Sequence, residues 1–250
     1  MITLPVSRCI ARLRLPNGAD DIFLLESESS PLPAALGLLN RLAAGADGGA
    51  QNWAGLPVTD LEFLLLQLRA RLLGDFVAGH AVCPACRETA DISFRISDYL
   101  ATTRPAAAPA ADENGWRRLN GAEIRLPAVA DVLAARDAPN PEASLAARCV
   151  GPGTAAQMRR RIERLLEKIA APLTGPVGGD CPSCGAALTA LFDIPAFVVR
   201  ELRRLAGNVL AEVHLLANAY HWSEVAILAL PGTRRRTYAD LVRSARLAAV

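Results

Sequence analysis

Two short cysteine pairs constrain this chain more than any other feature of its sequence. Cys83 and Cys86 form one C-P-x-C motif, and Cys181 and Cys184 form a second. Four thiolates at this spacing are the ligand set of a tetrahedral Zn²⁺ ion that has no open coordination position. Because 94 residues separate the two motifs, such an ion joins distant parts of the chain. The pattern therefore predicts a structural rather than a catalytic zinc.

Each pair taken alone has other interpretations. A single C-x-x-C also occurs in thioredoxin-like redox sites, and the two pairs could form separate dithiols or disulfides. Strand-like stretches follow both pairs, at 88–96 and 186–194, whereas a redox motif opens a helix. A cysteine knuckle followed by a strand, present twice, is typical of a zinc ribbon. The pattern favours one shared zinc over two separate dithiols.

The remaining cysteines and the nearest histidine lie outside this ligand set. Cys9 and Cys149 each stand alone and are expected to be small buried hydrophobic residues. His80 precedes Cys83 by three residues, but four cysteines leave it no coordination position. It is expected to be a neighbour of the site or an ordinary strand residue.

The composition indicates a globular protein that is long enough to form a substantial core. Of its 250 residues, 52% are hydrophobic and 21% are charged, which is typical of a folded chain. The longest apolar run, 63–68, is followed by Arg69 and Arg71 and is too short to cross a membrane, and no secretory signal pattern is visible at the N-terminus. Paired cysteines at metal spacing then favour a reducing, cytoplasmic location.

The net charge gives little support for nucleic-acid binding. The chain carries 27 basic and 25 acidic side chains, a formal charge of +2, which creates no general field for phosphates. Two arginine runs, Arg159–Arg161 and Arg234–Arg236, fall in helical patterns whose polar face is expected to be solvated. No nucleic-acid motif with interleaved aromatic residues accompanies them.

Local patterns predict the order of elements along the chain. The N-terminal part is expected to contain a hairpin over 7–26 that turns at Asn17-Gly18, and a helix over 33–44. A second helix, over 59–74, is expected to begin with a Thr59/Glu62 capping box. An Ala- and Pro-rich stretch without large apolar residues predicts a flexible linker, 101–115. A second hairpin, over 116–126, turns at Asn120-Gly121. Three helices follow it, over 129–136, over 141–150 and from Thr154 onward.

The C-terminal part has the most regular helical pattern. Apolar residues recur every three or four positions over 195–221, which predicts one long amphipathic helix with arginines on its opposite face. Ser223 is suited to cap a short helix that ends at Leu228, and a last helix is predicted at 233–248 after a break at Pro231-Gly232. These segments predict a helical hairpin or a small bundle.

The whole pattern predicts an α+β fold. Its centre is a zinc-ribbon-like β core into which a hairpin and helices are inserted, and a C-terminal helical hairpin or small bundle follows. The predicted units are an N-terminal part with the first knuckle (1–100), a linker (101–115) and an inserted hairpin with helices (116–177). The second knuckle (178–194) and a C-terminal helical module (195–250) complete the chain.

No pattern typical of catalysis is present. Three histidines, His80, His214 and His221, could serve as a base, and neither His214 nor His221 has an obvious carboxylate at a fixed spacing. The chain lacks a nucleophile elbow, a phosphate loop, a dinucleotide fingerprint and an H-E-x-x-H motif. The sequence therefore predicts a protein that is not an enzyme.

The order of motifs over residues 1–200 resembles a family of phage proteins. An apolar helix ends in Leu72-Leu73-Gly74-Asp75, and a strand leads from it to the first knuckle. A strand that ends in Ser97-Asp98-Tyr99-Leu100 follows, and a second Cys-Pro-x-Cys comes later. This order resembles the baseplate hub assembly chaperones of T-even-type contractile phages and related contractile injection systems. The string 213–231 and the following Arg234–Tyr238 run are similar to a short helical module of phage-tail and injection-system gene clusters.

The resemblance implies a non-enzymatic role in building or forming the hub and baseplate of a contractile tail. The partners it implies are baseplate, hub or spike proteins. It also implies one structural zinc per chain, with ligands at Cys83, Cys86, Cys181 and Cys184.

Partner contacts are expected where aromatic residues lie beside arginine, since such residues are common interface anchors. The candidates are Tyr220, Trp222, Arg235 and Tyr238, although Trp222 and Tyr238 could instead pack the helical hairpin together. An alternative function is a zinc-ribbon regulator that binds nucleic acid through the ribbon and the arginine runs. A dithiol oxidoreductase is a third possibility and requires a metal-free cysteine pair with a lowered thiol pKa.

Overall fold

The computed structural model describes residues 1–49, 51–103, 111–112, 115–119, 122–151, 158, 162, 164, 166, 169 and 171–248. The helices and strands in chain order are β1 (Ile2–Thr3), β2 (Ile10–Leu13), α1 (Gly18–Glu26), α2 (Pro31–Leu42), β3 (Ala43–Ala44), α3 (Val58–Leu73), β4 (Phe76–Val82), β5 (Thr89–Arg95), α4 (Ile96–Thr102), β6 (Trp116–Leu119), β7 (Ala122–Arg125), α5 (Val129–Arg136), α6 (Pro141–Cys149), β8 (Gly175–Asp180), β9 (Ala187–Phe192), α7 (Ile194–Ala206), α8 (Val209–Tyr220), α9 (Glu224–Leu228) and α10 (Gly232–Ala248). A short 3₁₀ helix, Trp53–Gly55, precedes α3.

The architecture is α+β, as the sequence predicts. Strands β1, β2 and β3 form a small antiparallel sheet, and the other strands form the antiparallel hairpins β4-β5, β6-β7 and β8-β9. The first and last of these hairpins carry the two cysteine motifs at their turns, and β4 contacts β9. The two knuckles are therefore brought together by neighbouring hairpins.

The main hydrophobic core forms where α1, α2, α3 and α7 pack together. The apolar residues of α2 recur at three- and four-residue spacing and are almost fully buried, at Ala35, Leu38, Leu39 and Leu42. Helix α7 adds Val198, Val199 and Leu202 to the same core. The chain that follows the second knuckle is thus attached directly to the N-terminal helices.

The predicted N-terminal hairpin is wrong, because residues 18–26 form helix α1 instead of a strand. The Asn17 side chain accepts hydrogen bonds from the backbone N–H groups of Ala19 (3.1 Å) and Asp20 (3.3 Å). The Asp20 carboxylate accepts in return from the N–H of Asn17 (2.9 Å), which completes a capping box. Strand β2 pairs with β1 and β3 instead of a second hairpin strand.

Helix α3 is predicted correctly, but its first turn has a different role. The helix begins after Pro57, and neither Thr59 nor Glu62 caps it. The Thr59 hydroxyl donates to the carbonyl of Ala171 (2.9 Å), and the Glu62 carboxylate accepts from the N–H of Thr174 (3.1 Å). Both side chains therefore hold the segment that leads into β8.

The second predicted hairpin and the two helices after it are confirmed. Strands β6 and β7 pair antiparallel, and α5 and α6 match the predicted ranges. A second core forms around Ile124, Cys149 and Val150. Helix α4 contains 97–100, which the sequence predicted as the end of a strand, and also the start of the predicted linker. The predicted turn at 120–121, most of the linker, at 104–110 and 113–114, and the predicted Thr154 capping box, at 154–157, lie outside the described residues.

The predicted long helix 195–221 is two helices, α7 and α8. They separate at Gly207-Asn208, two residues with low helix propensity, where the N–H of Gly207 bonds to the carbonyl of Arg204 (3.3 Å). The break lets α7 pack on the main core while α8 packs on α10. Helices α9, which Ser223 caps, and α10 lie close to their predicted ranges.

In the described part of the chain, no helix combines the length and apolarity needed to cross a bilayer.

Candidate metal centre

The first cysteine knuckle is a tight turn between β4 and β5. The backbone N–H of Cys83 donates to the carbonyl of Glu88 (2.9 Å), and the N–H of Arg87 donates back to the carbonyl of Cys83 (3.0 Å). Arg87 has a left-handed conformation with φ of 65°, which few residues other than glycine adopt. The turn places Cys83 and Cys86 at the tip of the hairpin.

The second knuckle, between β8 and β9, repeats this geometry. The N–H of Cys181 donates to the carbonyl of Ala186 (2.8 Å), and the N–H of Gly185 donates back to Cys181 (2.8 Å). Gly185 has φ of 72° at the position that Arg87 occupies in the first knuckle, and glycine adopts this conformation without strain. Two copies of one turn thus come from distant parts of the chain.

The four cysteine sulfur atoms form a compact cluster. All four Sγ atoms lie within 4.8 Å of one another, and 3.7 Å separates Cys83 from Cys184 and Cys86 from Cys181. Four thiolates around a tetrahedral Zn²⁺, each about 2.3 Å from the ion, are about 3.8 Å apart. The sulfurs are therefore close enough to bind one metal ion, and their shortest separations match that tetrahedron.

These short sulfur contacts run between the knuckles and are not covalent. A disulfide bond is about 2.05 Å long, so sulfurs 3.7 Å apart are unbonded, and all four thiols are free. Both knuckles also lead into strands, β5 and β9, rather than helices. The arrangement fits one shared ion better than two separate redox dithiols.

The cluster is partly shielded from water. Cys83 and Cys181 are buried, whereas Cys184 is exposed. Ala90 of β5 and Leu188 of β9 are buried beside it. Four sulfur ligands fill a tetrahedral shell and leave no position for water or a substrate, which is the property of a structural site.

The thiols of the first knuckle differ in acidity. The backbone N–H groups of Cys86 and Ala85 lower the pKa of the Cys83 thiol to about 6. The N–H of Glu88 likewise lowers the pKa of the Cys86 thiol, but burial and the neighbouring thiols outweigh this effect and raise that pKa to about 12. One thiolate forms readily, whereas four adjacent thiolates repel one another, and a divalent cation removes that repulsion.

His80 is a strand residue, as expected, and not a fifth member of the cluster. On β4, its Nδ1 lies 2.7 Å from a carboxylate oxygen of Asp91 on β5, and both side chains are exposed. The two other cysteines are separate as well, since Cys149 is buried in the second core and Cys9 is half-buried at the edge of the main core.

The aromatic residues predicted to bind a partner form a cluster on the C-terminal helices. The rings of Tyr220 and Trp222 are stacked with centroids 4.9 Å apart, and Trp222 meets Tyr238 edge-on at 5.3 Å. Tyr220 is 38% exposed and Trp222 is 37% exposed. The cluster links the end of α8 to α10 and also presents rings to solvent, and its role in partner binding stays a prediction.

Arg235, the fourth predicted contact, lies inside the protein. It is 2% exposed, and its guanidinium group bonds to the carboxylates of Asp21 (2.5 Å) and Glu212 (2.7 Å). The expectation of a solvated arginine run is therefore wrong at its central residue. A single guanidinium joins helices α1, α8 and α10.

A signal for this burial is present in the sequence. Arg235 is in phase with Ala239 and Val242, four and seven residues later, and all three are buried on one face of α10. Leu241 and Leu247 of the same helix are 56% and 81% exposed. The buried face of α10 thus includes an arginine in place of a leucine.

Comparisons of this chain with family models, with curated proteins and with solved structures find no match.

Proposed function

We propose that the four cysteines bind one structural Zn²⁺ ion, which fastens hairpins β4-β5 and β8-β9 together. The observation that supports this is the cluster of four Sγ atoms within 4.8 Å of one another. Tetrahedral sulfur sites hold zinc or iron, and zinc is the usual ion at paired cysteine knuckles. The ion cross-links segments separated by 94 residues, so it stabilises the fold and takes no part in a reaction.

The wider role we propose is non-enzymatic protein binding in the baseplate or hub of a phage-tail-like contractile injection system, as an assembly chaperone or a structural component. The order of motifs over 1–200 and the string at 213–231 support this context. The exposed rings of Tyr220 and Trp222 support protein binding, because aromatic residues are common interface anchors. The proposed location is the cytoplasm, where thiols stay reduced and available to a metal.

A zinc-ribbon regulator that binds nucleic acid has weaker support. Arg235, the centre of one arginine run, is already engaged by two carboxylates. The net charge of +2 also attracts phosphates only weakly.

Native mass spectrometry of the purified chain, with and without a strong chelator, tests the metal. We expect one zinc per chain, held by deprotonated thiols, and partial unfolding when the chelator removes it. A mass that corresponds to iron would contradict the choice of zinc. Absence of any metal, with the thiols oxidised or freely reactive, would contradict the site itself.

Binding to purified baseplate, hub and spike proteins of a contractile tail tests the wider role. We expect the zinc-loaded chain to bind at least one of them, and Trp222→Ala to weaken that binding without changing the zinc content. If none binds, the baseplate role is wrong. Binding to DNA or RNA that falls steeply with salt concentration would then favour the regulator.

A further inference from the structure

A groove of about 400 Å³ lies where the two cysteine hairpins meet helix α7. Its apolar lining includes the rings of Phe94, Phe192 and Phe197, and Arg200 and Arg204 line it from α7. Its volume lies within the range of about 300–1,000 Å³ that ligand sites usually have. No member of the four-cysteine cluster lines the groove, so it is a separate feature.

One side of this groove is a free edge of strand β4. The N–H of Cys83 donates to the carbonyl of Glu88, and hydrogen-bonded pairs alternate with non-bonded pairs along an antiparallel ladder. Ala78 and His80 lie an odd number of residues before Cys83, so they occupy non-bonded pairs in the register of β4 with β5. Their backbone N–H and carbonyl groups therefore point away from β5. These two residues line the groove.

A contact near the start of β4 agrees with this orientation. The Nη1 group of Arg69 donates to the carbonyl of Phe76 (2.7 Å), which is the outward-facing group two positions before Ala78. For Ala78 and His80, no residue in the described ranges supplies such a partner. Their outward backbone groups are available for hydrogen bonding.

Strand β9 provides a second free edge. The N–H of Cys181 donates to the carbonyl of Ala186, and the register of β8 with β9 then turns the backbone groups of Leu191 away from β8. Leu191 lines the groove and is 71% exposed. Unpaired strand edges are ready templates for pairing with another strand.

The wall that α7 contributes is positively charged. Glu201 also lines the groove, but its carboxylate is paired with Arg69 at 2.8 Å. The guanidinium of Arg200 lies 5.6 Å from the centre of the Phe197 ring. Arg200 and Arg204 are both exposed, and within the described part of the chain neither has a carboxylate at ion-pair distance. Two available cations therefore lie beside an apolar strand edge.

We propose that this groove binds an extended acidic segment of a protein partner, which adds as a strand to the free edge of β4. The backbone of the segment bonds to Ala78 and His80, its apolar side chains meet the aromatic lining, and its carboxylates pair with Arg200 and Arg204. The inference deepens the proposed protein-binding function and rests on it for the nature of the partner, but it does not require a baseplate.

Amide NMR titration of the zinc-loaded full chain with short capped peptides tests this site. The probe alternates valine with glutamate, one control alternates valine with lysine, and a second control is the glutamate peptide with every other backbone amide N-methylated. We expect the probe to shift the amide signals of Ala78 and His80. Both controls should bind at least about ten-fold more weakly, because they lack the charge or the strand hydrogen bonds.

Two variants separate the charge contacts from the backbone contacts. Arg200→Glu with Arg204→Glu should weaken binding of the glutamate peptide at least about ten-fold. Its matched control, Arg234→Glu with Arg246→Glu on exposed positions of α10, changes the net charge equally and should leave the affinity unchanged. Ala78→Pro removes an outward N–H but keeps the ladder with β5, and it should also weaken binding several-fold.

The proposal would be overturned if the glutamate and lysine peptides bind equally or if the amide signal of Ala78 does not shift. It would also be overturned if the variant with Arg200→Glu and Arg204→Glu binds the glutamate peptide as tightly as the parent protein does. Native mass spectrometry of the same samples reports on zinc separately. Intact zinc without peptide binding contradicts the groove alone, whereas peptide binding by a chain that takes up no zinc contradicts the proposed zinc site alone.

Discussion

The molecule joins distant segments at two clusters, and only one of them is marked clearly in the sequence. The four-cysteine cluster joins hairpins β4-β5 and β8-β9 through sulfurs within 4.8 Å. The arginine cluster joins α1, α8 and α10 through Arg235, which contacts Asp21 and Glu212. A cysteine knuckle is a local motif with fixed spacing, whereas the partners of Arg235 lie 214 and 23 residues away with no spacing rule.

The two clusters also differ in what completes them. The four thiols lie close enough to bind a cation from solution, whereas Arg235 is itself the cation for two buried carboxylates. Its Nη1 group has no hydrogen-bond partner in the described part of the chain and faces Gly18, where a Cβ atom would come within 2.6 Å. The cysteine cluster is therefore expected to depend on metal, and the arginine cluster on close packing and charge balance.

The largest expected effect is the loss of a zinc ligand. Cys181→Ser should abolish stable metal binding and strongly reduce the free energy of unfolding, because structural zinc contributes about 10–16 kcal/mol of apparent binding free energy in small zinc domains. Native mass spectrometry and chemical denaturation measure the two effects. Cys9→Ser, outside the cluster, should retain its zinc. Normal metal content in Cys181→Ser would show that the cluster is not a four-ligand site.

The next effect comes from the arginine cluster. Arg235→Met leaves Asp21 and Glu212 buried without their cation and should lower the free energy of unfolding by about 3–5 kcal/mol. Chemical denaturation of the zinc-loaded protein measures this loss. The matched control is Arg234→Met, an exposed neighbour on α10, which should change stability by no more than about 0.5 kcal/mol. Equal effects of the two substitutions would mean that the buried guanidinium does not help to join the helices.

A smaller effect is expected at the glycine that faces this arginine. Gly18→Ala would place a Cβ atom 2.6 Å from Nη1 of Arg235 and 2.7 Å from the Leu228 side chain, and such overpacking costs about 1–3 kcal/mol. Thermal or chemical denaturation gives the change. Gly179→Ala is the control, because nothing lies within 4 Å of its Cβ position. A neutral Gly18→Ala would show that the cluster can shift to make room.

The smallest effect is a pH dependence. Burial raises the pKa of Asp21, and this outweighs the hydrogen bond and charge of Arg235, which lower it. The folded protein therefore holds this proton more tightly than the unfolded chain, whose pKa is near 3.8. The contribution of this carboxyl group to the free energy of unfolding consequently decreases as pH rises through the window above 3.8.

Chemical denaturation at stepwise pH values checks this sign. The free energy of unfolding of the parent minus that of Asp21→Asn should decrease across the window, because the variant has no proton to lose at this position. A difference that increases with pH would show instead that Arg235 stabilises the ionised carboxylate more than burial opposes it.

Much of the fold follows from local patterns. The strands that follow each knuckle, helices α5 and α6 and the Ser223 cap are predicted because a few neighbouring residues decide them. The N-terminal hairpin fails for a physical reason, since an Asn-Gly pair suits both a turn and the start of a helix. The capping box with Asp20 and the burial of Leu24 in the main core select the helix.

The proposed peptide groove could not be predicted from the sequence. Its edges come from β4 and β9, and its charges come from α7. The helical pattern does predict that Arg200 and Arg204 lie on the polar face of their helix. Which strand edge they accompany depends on how the hairpins pack against that helix.

By itself, the sequence determined the four clustered cysteines and most helices and strands, because spacing, capping and periodicity act over a few residues. Only the tertiary structure decided that Thr59 and Glu62 hold the segment before β8, that Arg235 is buried, and that free edges of β4 and β9 line one groove. Burial and long-range hydrogen bonds depend on which segments meet, and no local pattern encodes that meeting.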